Sequence, residues 1–163
     1  MIHVDLLDMP EPHREDMHSR WMAHAIRLAR RSESADEVPV GAVLVAGDEV
    51  VGEGWNQPIV LSDPTAHAEV LALRQAAQRL GNYRLVDCTL YVTIEPCTMC
   101  AGALVHARVK RLVFGAPEKR AGAVVSSARV LSNPGLNHQV EVVSGVLEEE
   151  CSALVRSFFQ RRR

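Results

Sequence analysis

The spacing of apolar positions divides the chain into segments of helical and of strand period. From about Met17, Trp21, Ala25, Leu28 and Ala29 recur on one face at helical spacing. The segment VPVGAVLV (38–45) is apolar and β-branched, and EVVGEGW (49–55) follows across Ala46-Gly47-Asp48, which predicts a hairpin. Gly52 and Gly54 either weaken its second strand or admit a close neighbour to its backbone. In DPTAHAEVLALRQAAQRLG (63–81), Val70, Leu73, Ala77 and Leu80 form a helical stripe that Gly81 ends. CTLYVTI (88–94) predicts a buried strand, CTMCAGALVHA (97–107) a short helix of small residues, and KRLVFG (110–115) a further strand. Residues 116–138 have no clear period, a length at which loops are often functional. HQVEVV (138–143) predicts a last strand, and Leu147, Cys151, Leu154 and Phe158 align on a closing helix.

A hairpin followed by alternating helices and strands predicts an α/β fold, with a mostly parallel sheet and helices on both faces. Ligands of such sheets bind at the carboxyl ends of strands, beside helix starts. Residues 1–16 are acidic, carry Pro10 and Pro12 and show no period. The expected organisation is therefore a disordered extension over 1–17 and a single domain over 18–163.

Composition narrows the class. At 163 residues and 47% apolar content the chain can bury one real core. Charges interrupt every apolar stretch well before the ~18 residues a membrane span needs. The first residues lack the basic-then-apolar pattern of a secretion signal, so a cytoplasmic location is expected. A net charge of −2 does not advertise a nucleic-acid partner, and any such partner must meet a local basic patch. Three basic groups are available: Arg108, Lys110 and Arg111; Lys119 and Arg120; and Arg156 with Arg161, Arg162 and Arg163. Each is also readable as an ordinary solvated cluster. Cations at the end of the last helix complement its dipole, as Glu148–Glu150 do at its start.

The chemistry gathers at two helix starts. His67-Ala68-Glu69 opens one helix, and Pro96-Cys97-Thr98-Met99-Cys100 opens another directly after a strand. A Cys-x-x-Cys pair can hold one tetrahedral ion, and thiolates with an imidazole suit zinc. The partial positive charge at a helix N-terminus favours thiolates. Three ligands, His67, Cys97 and Cys100, leave a fourth position for water, whose pKa zinc lowers to ~7. On a regular helix His67 and Glu69 would point roughly 200° apart. His67 is therefore expected at an irregular helix start, with Glu69 a proton carrier and not a ligand. The competing readings are a redox pair and a structural zinc, whose fourth ligand would come from Cys88, His106 or Cys151. Cys88 and Cys151 sit among apolar neighbours, as small core residues do.

His-Ala-Glu followed by Pro-Cys-x-x-Cys resembles the zinc-dependent nucleobase deaminases. Longer stretches resemble the tRNA adenosine deaminases among them: VPVGAVLV, GEGWNQP, DPTAHAEVLALRQA, NYRLVDCTLYVTIEPCTMCAGALVHARV, RLVFGA, NPGLNHQVEV and the terminal SFFQRRR. The resemblance implies a cytidine deaminase-like three-layer α/β/α fold around a mixed five-stranded sheet. It implies one Zn2+ per chain, and a bacterial homodimer that converts adenosine to inosine at the wobble position of an arginine tRNA. Zinc hydroxide would attack carbon 6 of adenine while Glu69 carries protons from water to ring nitrogen to departing ammonia. Asn56 matches a family position that hydrogen-bonds the nucleoside, and the small residues around Ala68 and Ala101–Gly102 would leave room for a flat base. The possible RNA contacts are Glu118, Lys119, Arg120, Phe158, Arg161, Arg162 and Arg163.

Two positions depart from the family pattern: Glu118, after Pro117, stands where Asp is frequent, and Ser157 replaces another frequent Asp. Two other functions remain open on the same residues. One is a deaminase of free guanine or cytosine, and the other a non-catalytic, zinc-stabilised nucleic-acid-binding module, against which Glu69 argues.

Overall fold

The computed structural model describes residues 9–162. Its elements run α1 (Glu11–Ser34), β1 (Gly41–Ala46), β2 (Glu49–Trp55), α2 (Ala68–Leu80), β3 (Cys88–Ile94), α3 (Thr98–His106), β4 (Arg111–Ala116), β5 (Glu141–Ser144) and α4 (Glu148–Gln160). The sheet order is β2-β1-β3-β4-β5. β1 pairs antiparallel with both β2 and β3, whereas β3–β4 and β4–β5 are parallel. Four strands therefore share one direction and β1 alone opposes them, which makes the sheet mixed while most of its strands run the same way.

Alternation along the strands splits the core in two. Ala42, Leu44, Leu90, Val92, Leu112 and Phe114 point to the face covered by α2 and α3. Val43, Val45, Tyr91 and Val113 point to the face covered by α1 and α4. This is the period-two logic of a strand sandwiched between two helical layers, and it yields the three-layer α/β/α arrangement.

The first helix starts at Glu11, not at Met17, so residues 11–17 of the expected loose extension are helical. The prolines that suggested disorder are compatible with a helix start. Pro10 is the cap residue, and Pro12 lies in the first turn, where a missing N–H costs no intrahelical bond. The extension's first eight residues lie outside the described ones.

The two strand glycines act by close approach. A Cβ on Gly54 would collide with the carbonyl oxygen of Ala68, and one on Gly52 with that of Ala72. Helix α2 thus lies against the backbone of β2 with no side-chain layer between, which fixes the height of its N-terminus above the sheet.

Candidate active site

The shared direction of β2, β3 and β4 brings their carboxyl ends to one edge. Asn56 follows β2, Glu95 and Cys97 follow β3, and Glu118 follows β4. They meet at a cavity of about 510 Å³ that also touches His67, Glu69, Val40, Phe158 and Arg162. That volume is of the size that takes a small organic ligand.

His67 is the cap residue of α2, with extended backbone at φ −75° and ψ 152°. Its ring leaves the helical track there, as expected from the need to share a pocket with Glu69. Cys97 caps α3 in the same way, at φ −74° and ψ 177°. His67 Nδ1 lies 3.6 Å from Cys97 Sγ and 3.5 Å from Cys100 Sγ. These three donor atoms all fall within 4.8 Å of one another. Tetrahedral zinc, with bonds of about 2.0–2.3 Å, spaces a nitrogen and a sulfur ligand roughly 3.6 Å apart, so the donor set fits the ion.

Cys88 and Cys151 are buried elsewhere, each with its thiol pushed up by burial, to about 11 and about 12, and His106 is exposed at the end of α3. Among the described residues the cluster holds only the three ligands, which is the arrangement of an open site.

The electrostatics suit a cation. A hydrogen bond from the Cys100 thiol, with another from His67, pushes the Cys97 thiol down to about 3. The Cys100 thiol is raised by the same bond and by burial, and the His67 imidazole is raised by its bond to Cys97. Glu69 is 3% exposed, and burial raises its carboxyl above the ordinary range. A carboxyl raised in this way and placed at the cavity is suited to proton transfer.

Asn56 is bound into the scaffold. Its Oδ1 accepts the Ala68 N–H at 2.8 Å, capping α2 from across the pocket because His67 offers no side-chain cap. Its own N–H donates to Val40 O at 3.1 Å. Ala68 itself is fully buried in the core, with its N–H taken by Asn56, so it backs the site and does not line it. Ala101 is likewise fully buried, and a Cβ on Gly102 would meet no atom within 4 Å.

The expected RNA contacts divide. Glu118 lines the cavity, but its carboxylate is engaged locally, accepting the N–H groups of Arg120 and Ala121. Lys119 and Arg120 are exposed beside it. Phe158 also lines the cavity, buried, with the Arg162 guanidinium 4.2 Å from its ring centre. Arg161 pairs with Glu33 at 2.8 Å, and Arg162 donates to Asp36 O at 2.7 Å, so both are tied to the end of α1. Arg163 lies outside the described residues. Arg111, expected in a surface basic group, is instead buried in β4 and paired with Glu141 at 2.8 Å.

Two buried carboxylates were missed by the pattern of the sequence. Glu37 accepts the N–H groups of Ile59 and Val60, and Glu95 accepts from Glu118 and Val124–Ser126. Each is 3% exposed or less. The available signal is a carboxylate abutting an apolar run, as in LYVTIEP and DEVPV.

Comparison with known proteins agrees with this geometry. Residues 15–116 match the cytidine and deoxycytidylate deaminase zinc-binding region. A tRNA-specific adenosine deaminase of Haemophilus influenzae is 53% identical over 151 residues, covering 92% of this chain and 87% of that protein. A solved structure from work on A-to-I editing by tRNA:A34 deaminases superposes with a TM-score of 0.81 at 43% identity, covering 83% of this chain and 99% of the other. A guanine deaminase from Nitrosomonas europaea superposes with a TM-score of 0.74 at 26% identity, covering 86% of this chain and 83% of the other. With the His67–Cys97–Cys100 cluster where the starts of α2 and α3 meet and these likenesses across nearly its whole length, the chain belongs to the zinc-dependent cytidine and deoxycytidylate deaminase family, in its tRNA-specific adenosine deaminase branch.

Proposed function

We propose that this protein hydrolyses adenosine to inosine and ammonia at the wobble position of a tRNA anticodon, the ACG anticodon of an arginine tRNA. The observation that carries the reading is the placement of Glu69, His67 and Cys97 at one cavity, with Cys100 completing the ligand cluster behind it, in a chain 53% identical to a tRNA-specific adenosine deaminase. Zinc on His67, Cys97 and Cys100 supplies the Lewis acidity that makes a water molecule nucleophilic at neutral pH. Glu69 does the proton work: it accepts a proton from that water and passes it to the ring nitrogen, then takes the proton of the hydroxyl added to the base and gives it to the departing amine. Its burial and its raised carboxyl pKa support this role. Asn56 lines the cavity with its Oδ1 committed to Ala68, which leaves its NH2 group to donate to the nucleoside.

An unpaired anticodon base can turn into the cavity at a cost of about a few kcal/mol. Lys119, Arg120, Arg162 and Arg163 would meet the flanking phosphates, with Glu118 and Phe158 shaping the rim and Arg161 bracing it through Glu33.

The working form is a homodimer in the cytoplasm. Apolar surface left uncovered by the single chain supports association: Ile59, Val60 and Leu61 on one loop, and Met99 at the start of α3. Sedimentation should show a dimer at micromolar concentration, and a fully active monomer would refute it. Among the described residues no helix is long and apolar enough to cross a membrane.

The test of substrate is ammonia release at equal concentrations from an ACG anticodon stem-loop, free guanine and free cytosine. The stem-loop is expected to react fastest, and its binding to weaken steeply with salt. Faster release from guanine or cytosine overturns the tRNA assignment in favour of a free-base deaminase.

A further inference from the structure

The aperiodic segment after β4 forms one side of the cavity, through Glu118 and Ala121, and contains no helix or strand until Val130. Something other than regular pairing must hold it. Glu95, at the end of β3, sits beneath it with both carboxylate oxygens occupied. Oε2 accepts the N–H groups of Val124, Val125 and Ser126 at 3.0, 2.9 and 3.0 Å. Oε1 accepts the Glu118 N–H at 3.1 Å and the Ser126 hydroxyl.

Successive backbone N–H groups converging on one oxygen form an anion-binding concavity, here filled by the protein's own carboxylate. The segment has also made room for it. A Cβ on Gly122 would lie 2.6 Å from Glu95 Oε1 and would collide with the carboxyl carbon and with Glu118 O. Gly122 N–H donates to Glu118 O at 2.9 Å, and Ala123 N–H to Pro96 O at 2.8 Å, so the turn is wrapped directly over the Glu95-Pro96 step.

We propose that Glu95 is a positioning residue for the deamination: its carboxylate, seated under Gly122, fixes the 118–126 segment as the wall against which the substrate is held. The role rests on the proposed function for its substrate and on geometry alone for its mechanism. All the groups facing Glu95 are donors, so a carboxylate satisfies them and a carboxamide cannot, since its NH2 must face N–H groups. Loss of the anchor frees the wall without touching His67, Cys97, Cys100 or Glu69. Substrate holding should therefore suffer more than turnover.

The experiment compares zinc-loaded wild type with Glu95→Gln and Gly122→Ala. Metal content, amide hydrogen exchange at 124–126, and KM and kcat on the ACG stem-loop are measured. Both variants are expected to retain one zinc per chain, to exchange those amides at least tenfold faster, and to raise KM at least tenfold with kcat changed less. Should Glu95→Gln not fold, Ser126→Ala, which removes one donor and leaves the carboxylate, is expected to give the same changes in smaller measure. Unchanged amide protection overturns the proposal, as does a loss of kcat that merely follows zinc loss. A wild type that deaminates guanine and not the stem-loop overturns the tRNA reading instead. The exchange data and the KM for guanine then still decide the role of Glu95.

Discussion

Asn56 Oδ1 and the Ala68 N–H are joined at 2.8 Å, so the residue expected to hold the substrate also caps the helix that presents His67 and Glu69. Substrate binding and the placement of the catalytic groups thus share one carboxamide. Replacing Asn56 with Ala removes the cap, at a cost of about 1 kcal/mol, and lowers the melting temperature by roughly 2–4 °C. Calorimetry of the zinc-loaded protein checks the stability. A kcat/KM reduced by no more than the loss of folded protein would show that Asn56 acts only as a cap.

Glu69→Gln keeps the shape of the side chain and removes its capacity to take a proton. Deamination should fall by about 10²–10⁴-fold while zinc content stays at one per chain. Metal analysis beside a single-turnover assay separates the roles. Zinc loss in this variant would mean that Glu69 supports coordination.

Zinc ties the start of α2 to the start of α3, elements that meet little elsewhere. Removing it with a chelator should abolish activity and lower the melting temperature, and both should return on adding zinc. Cys97→Ser should weaken zinc retention in the same direction, read by competition with a chromogenic chelator.

His18 gives the fold a pH dependence remote from the metal. Its Nδ1 lies 2.9 Å from the Tyr91 hydroxyl, and burial first, then Arg111 and Arg14, lower its pKa. A group with a depressed folded pKa contributes stability that is fully present above its unfolded value of about 6.5 and is lost as pH falls toward the folded value. Urea unfolding between about pH 7.5 and 5.5 should show wild type losing stability faster than His18→Gln as acid is added. Parallel slopes would contradict the assignment.

The elements that bury a stripe were legible in the chain, because periodicity reports burial directly. CTLYVTI is β3, residue for residue, and Gly81 ends α2 in the left-handed conformation with φ 65°. The zinc cluster was legible too, since two short motifs carry it. What escaped reading is long-range. The pairing of Arg161 with Glu33 and of Arg162 with Asp36 joins the two ends of the sequence and leaves no local signal. The order of 116–138 is invisible locally, because Glu95 imposes much of it from another strand. The early start of α1 escaped because proline reads as a breaker unless its place in the first turn is known.

An edge strand is ordinarily where a sheet tolerates the widest range of residues. In β2 that freedom is withdrawn at alternate positions, since Gly52 and Gly54 touch the backbone of α2, while the Glu53 side chain between them turns to the other face and meets His24 of α1. A saturation library across 50–55 should therefore divide sharply. Glu53 should accept most replacements, whereas Gly54→Ala, a change of one methyl group at the sheet's margin, should push α2 outward and cost activity through a displaced His67. The molecule's least forgiving positions then include two that carry no side chain, on the strand that a survey of burial and charge would pass over first.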